Sequence, residues 1–154
     1  MSIEENKALI HRLIDCANRQ DGDAQAALYS VDATNHGQVV GREGLRRVFG
    51  SLYTAFPDWH FALEEMVTEG DAVVCIMTMT GTHRGTSKAP ILGGMLAGVE
   101  PTGKRVAVMH LHRYRVKDGE VVDHRATRDD LGMMQQLGLL PTTQQDISRP
   151  PRDA

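Results

Sequence analysis

The stretch AVMHLHRYRVKDGEVVDHRATRDDLG, Ala107 to Gly132, decides the fold. Two runs carrying Val and Tyr at strand spacing flank Asp118-Gly119, a pair suited to a two-residue type I′ turn. The turn sets a register in which Lys117 faces Glu120. Continued without interruption, it pairs Tyr114 with Asp123, His112 with Arg125, His110 with Thr127 and Val108 with Asp129. Cross-strand partners share a face, as do residues two apart. His110, His112, Arg125 and Asp129 are therefore expected on one face, with Asp129 about 7–8 Å from His110 along a diagonal. His124 and Arg128 are expected on the other, facing solvent, and Asp130 is expected to cap a final helix. A β-bulge between the two strands would break this parity.

Upstream of the hairpin lie two more strands, Trp59 to Thr68 and Ala72 to Thr82, around the turn Glu69-Gly70-Asp71. The run Val73 to Met77 is continuously apolar, which suits a central strand. Before the strands the period becomes helical. Ser2 and Glu5 form a capping box ahead of Leu9, Ile10, Leu13, Ile14 and Ala17. Asp23 caps a short helix, Ala24 to Tyr29; Ala33 to Val40 is extended; Gly41 to Phe56 is a third helix, stopped by Pro57-Asp58. Gly81 to Lys104 is a Gly-rich irregular loop, a length usually reserved for functional or mobile segments. Leu131 to Leu137 forms a last helical segment. Helices followed by antiparallel hairpins indicate an α+β fold in one domain, residues 1–140, with a polar, flexible tail over 141–154.

Composition narrows the function. The chain has 154 residues, 41% hydrophobic and 24% charged, with a net charge of −3 and no basic cluster, which argues against nucleic acid and anionic membrane surfaces as partners. Its polar, acidic N-terminus lacks the pattern of a secretory signal, and no apolar run is long enough to span a bilayer, so a cytoplasmic location is expected. Cys16 and Cys75 read as buried thiols.

The hairpin carries the chemistry. A carboxylate in an apolar pocket has its pKa raised by desolvation, and a nearby imidazolium pulls it down. Such a group can take a proton from carbon next to a carbonyl, while imidazoles hydrogen-bond the oxygen on which charge develops. Asp129 is the candidate base, and His110 and His112 its partners. Each also has a bland reading, as a solvated strand-end carboxylate and satisfied structural histidines. His-x-His is a metal-ligand spacing too, but alone it is a weak signal, and no metal is expected.

These residues, with Asn35-His36, GREGLRRVFGSLYTAFPDWHF, GTHRG, PTGKRV and DGEVVDHRATRDDLGMMQQLG, resemble the SnoaL-like polyketide cyclases of the NTF2-like superfamily, over roughly residues 3 to 140. The resemblance implies a cone-shaped α+β barrel, with N-terminal helices on a curved, mainly antiparallel sheet around a deep hydrophobic pocket, usually in a homodimer. It implies cofactor-independent ring closure by intramolecular aldol condensation of a hydrophobic, polyketide-like carbonyl substrate. It places the acid–base carboxylate at Asp129 and polar partners at His110, His112, Asn35 and His36. Two departures stand out: the family's Trp is Arg125 here, and Lys88 to Val99 extends the loop between Thr82 and Pro101. Asn35, His36, Arg125, Phe49, Trp59 and Met95 are the expected substrate-binding residues. Two other readings fit the same pocket: a hydroxylase, hydratase or isomerase of secondary metabolism, and a small-molecule-binding module without turnover.

Overall fold

A computed structural model of the chain describes residues 2–142. Helix α1 (Ile3–Asn18) begins at the expected capping box: the Ser2 backbone N–H donates to Glu5 Oε2 at 2.7 Å, and the Glu5 N–H to Ser2 Oγ at 3.2 Å. Its stripe Leu9, Ile10, Leu13, Ile14 and Ala17 is buried. Helix α2 (Gly22–Ala27) starts earlier than expected because Asp21, not Asp23, caps it, accepting from the Ala24 N–H at 2.9 Å. Asp23 instead pairs with Arg46. Strand β1 (Tyr29–Asn35) follows at once and turns at His36-Gly37 into the short β2 (Gln38–Val39). Both turn residues have positive φ, +51° and +80°, the type I′ pattern. Helix α3 (Gly41–Ala55) buries Leu45, Phe49 and Leu52.

Strands β3 (His60–Glu69), β4 (Ala72–Thr82), β5 (Arg105–Lys117) and β6 (Glu120–Arg128) follow, and α4 (Asp130–Gln136) closes the fold. One six-stranded sheet runs β2-β1-β6-β5-β4-β3. Only β1 and β6 pair in parallel; every other pair is antiparallel. The α+β expectation holds. Val73, Cys75, Met77 and Met79 of β4 and Val106, Val108, Tyr114 and Val116 of β5 form the inner face. Helix α1 packs against β3 and α3 against β1, leaving a cavity between α3 and the curved middle of the sheet.

The long loop is built into this core. Ile91 and Leu96 are wholly buried, and a single bridge joins Ser87 to Ala97. Its base is closed by His83, whose backbone N–H donates to Lys104 O at 2.9 Å and whose Nδ1 accepts from the Thr102 N–H at 3.2 Å. Of the polar tail expected to be flexible from residue 141, all beyond 142 lies outside the described residues.

Candidate active site

The β5–β6 hairpin begins as its sequence dictates. Asp118 and Gly119 both have positive φ, and Lys117 pairs with Glu120 and Val116 with Val121. The next pair is Arg115 with Asp123. Val122 is left over, a β-bulge, and every later pair slips by one: Tyr114 with His124, His112 with Ala126, Leu111 with Thr127, and His110 with Arg128. The uninterrupted register is therefore corrected. His124 and Arg128 share the inner face with His110 and His112; Arg125 and Asp129 do not.

Desolvation explains the slip. Without the bulge, Asp123, Arg125 and Asp129 would face the apolar cavity, a heavy cost for charged groups. With it, Asp123 pairs with Arg113 at 2.7 Å and with the Thr34 hydroxyl, and Arg125 stays exposed. The inner positions go to a neutral imidazole, a methyl group and one guanidinium. The signal lay in the sequence: Asp123, Arg125, Thr127 and Asp129 alternate as a solvated face would, against His124 and Ala126.

Asp129 is exposed and caps α4, its Oδ1 accepting from the Gly132 N–H at 2.9 Å. The capping role expected of Asp130 thus belongs to Asp129. Asp130 is the first residue of α4, and its carboxylate accepts from Arg128 Nε at 3.0 Å and from Arg128 Nη2 at 3.4 Å.

The cavity has a volume of about 280 Å³. Leu45, Val48, Phe49 and Leu52 of α3 wall one side, with Trp59, Phe61, Pro90 and Leu92. Gln25, Tyr29 and Tyr53 add polar groups, the Tyr53 hydroxyl bonding to Gln25. Of the residues expected here, His110, His112, Asn35, His36, Phe49 and Trp59 line the cavity. Asp129, Arg125 and Met95 do not. Met95 packs against the core from the loop, and Arg125 lies near Asp123 at 3.8 Å. Among the described residues no Asp or Glu lines the cavity; Arg128 is its one permanently charged group.

The imidazoles form a row. His110 Nδ1 lies 3.1 Å from His112 Nε2, His112 Nδ1 lies 2.9 Å from His124 Nε2, and His124 Nδ1 lies 2.8 Å from Asn35 Oδ1. The Tyr114 hydroxyl is 3.0 Å from His112 Nδ1. Phe61 packs edge-on against His110 and His112, and Trp59 against His110. Burial drives the ring pKa values down: His110 falls to about 3 through desolvation and then the Arg128 charge. His124 falls to about 3 through burial and then His36, with Asp123 opposing. His112 falls well below the usual imidazole value through burial and then its two neighbours, His124 first. The rings are neutral at physiological pH. Two buried polar atoms of the lining, His110 Nε2 and Trp59 Nε1, have no protein partner among the described residues.

Comparison with known proteins agrees with this architecture. The family model for the SnoaL-like polyketide cyclases matches residues 7–137. The aklanonic acid methyl ester cyclase DnrD of Streptomyces peucetius is 29% identical over 138 residues, 84% of this chain and 88% of that protein. The nogalonic acid methyl ester cyclase of Streptomyces nogalater is 30% identical over 105 residues, 67% and 71% of the two chains. Among solved structures, AclR of Streptomyces galilaeus, a candidate hydroxylase, superposes with a TM-score of 0.73 at 27% identity, over 91% of this chain and 100% of its own. IdmH of Streptomyces antibioticus, a candidate polyketide cyclase, gives 0.69 at 28%, over 86% and 98%. These relatives are named as cyclases, and this chain is an enzyme of the polyketide cyclase type. The chain belongs to the SnoaL-like polyketide cyclase family.

Proposed function

We propose that the protein closes a carbon ring by intramolecular aldol condensation of a hydrophobic polyketide ester, without a cofactor, and that His110 is the acid–base group. One observation carries the reading: in a cavity that no Asp or Glu lines among the described residues, the buried His110 Nε2 is unpartnered, and Arg128 stands across the ladder from it. His110 Nε2 takes the proton from carbon flanked by carbonyl groups, and the enolate oxygen is held by the Arg128 guanidinium. The enolate carbon attacks a second carbonyl of the same molecule, forming the C–C bond. The resulting alkoxide takes the proton back from His110 Nε2–H. The low pKa of His110 makes the free ring a weak base. An enolate forming beside it opposes that depression, because opposite charges stabilise each other strongly in a dry cavity. The Trp59 indole N–H is a second donor for a substrate oxygen.

The test is incubation of the purified protein with aklanonic or nogalonic acid methyl ester, followed by chromatography and mass spectrometry. Ring closure gives a product of unchanged mass with a shifted retention time, in oxygen-free buffer as in air. The likeness to AclR supports a second reading, hydroxylation. It would instead give a product one oxygen atom heavier, dependent on oxygen and a reductant.

A further inference from the structure

A neutral imidazole has one N–H and one lone pair, so three rings joined nitrogen to nitrogen must agree on a direction. The row has two consistent orders. In one, every ring carries hydrogen on Nδ1 and the unpartnered Nε2 of His110 is bare. In the other, every ring carries hydrogen on Nε2 and His110 Nε2 is a donor. The end of the row decides between them. Asn35 Oδ1, at 2.8 Å from His124 Nδ1, accepts and cannot donate, so His124 carries hydrogen there. Its Nε2 is then bare and accepts from His112 Nδ1–H at 2.9 Å; His112 Nε2 accepts from His110 Nδ1–H at 3.1 Å. The Tyr114 hydroxyl, 3.0 Å from His112 Nδ1, is a second acceptor for that hydrogen.

Asn35 is fixed in this role twice over. It stands opposite His124 in the parallel β1–β6 register, and the next residue's backbone N–H, from His36, donates to His124 O at 2.9 Å. The Asn35-His36-Gly37 turn therefore clasps His124 by backbone and side chain together.

We propose that Asn35 is a positioning residue that orders the protons of the His110–His112–His124 row and so makes His110 Nε2 a base rather than a donor. This rests on the acid–base role given to His110 above. The row also serves the reaction. When His110 Nε2 gains the substrate proton, its Nδ1 hydrogen passes to His112 Nε2 and the His112 Nδ1 hydrogen to His124 Nε2. No other bond changes, and the positive charge ends on His124, at the far end of the row from His110, where Asn35 accepts its Nδ1 hydrogen and the Asp123 charge favours it. The reverse shifts return a proton to the alkoxide.

The test reads tautomers directly, by nitrogen NMR of protein labelled with ¹⁵N-histidine, for the wild type, Asn35→Leu and Asn35→Asp. In the wild type, His110, His112 and His124 should each show hydrogen on Nδ1 and a lone pair on Nε2. Asn35→Leu removes the acceptor; the bare Nε2 signal of His110 should be lost, with kcat down at least tenfold and KM little changed. Asn35→Asp keeps an acceptor oxygen in place and should retain the wild-type order, which guards against a Leu variant that fails to fold. Hydrogen on His110 Nε2 in the wild type, or an unaltered tautomer pattern in a folded Asn35→Leu, would overturn the proposal. The ordered pattern found alongside full activity of His110→Gln would overturn the base assignment while upholding the role of Asn35 in setting the tautomers.

Discussion

His110 and Arg128 are cross-strand partners on the inner face of the β5–β6 ladder, so the lining's unpartnered imidazole nitrogen and, among the described residues, its one permanent cation come from facing positions of the same hairpin. The pairing holds the guanidinium near enough to depress the ring's basicity. Asp130 takes hydrogen bonds from Nε and Nη2, and among the described residues Nη1 has no hydrogen-bond partner. Arg128→Gln is expected to lower kcat by 10²–10³-fold, the usual result of removing one oxyanion donor. Arg128→Lys should recover only part of this, because an ammonium is a point charge without the planar fork. Steady-state kinetics on a cyclisable ester checks both.

The buried rings make stability depend on pH. Each has a folded pKa below the value near 6.5 of the unfolded chain, so the unfolded state binds more protons below that pH. The stability they allow is therefore present above about pH 6.5 and is lost as pH falls toward 3. For His110, held at about 3, the loss at pH 5 is about 2 kcal/mol. Urea titrations at pH 7.5 and pH 5 should show a clear fall in the wild type and a smaller one in His110→Gln.

Asp129 holds the first turn of α4. Asp129→Ala should cost about 1 kcal/mol of stability, as loss of an N-cap does, and Asp129→Asn should cost little because Asn caps equally well. Chemical denaturation with each variant measures this apart from activity.

Deleting Val122 removes the one β6 residue without a cross-strand partner in β5 and leaves every later pair, from Arg115 with Asp123 to His110 with Arg128, in place. His124 and Arg128 stay on the inner face and Asp123 and Arg125 outside it, so the deletion variant is expected to keep cooperative folding. Near-ultraviolet circular dichroism should show the tertiary packing retained.

Much of this was legible in the sequence because local signals agreed. The Ser2–Glu5 capping box, the α3 stripe and the Asp118-Gly119 turn each act over a few residues and appear where the chain announces them. His110 and His112 were placed correctly because parity along one strand needs no partner. His124 and Arg128 were misplaced, and Asp129 with them, because parity across the hairpin depends on a bulge. No turn residue marks that bulge; its trace is the alternation of Asp123, Arg125 and Asp129 against His124 and Ala126, charges the finished cavity refuses to bury. The parallel pairing of β1 with β6, which brings Asn35 to His124, joins residues 89 positions apart. The Asn-His pair gave the residues but not their target.

The central claim is that the cavity's base is the His110 ring and not the Asp129 carboxylate. Side-by-side kcat/KM values for His110→Gln and Asp129→Asn on one methyl ester substrate test it most directly. The structure predicts a loss of 10²–10⁴-fold for His110→Gln and activity within a few fold of wild type for Asp129→Asn. A crippled Asp129→Asn beside a fully active His110→Gln would contradict it.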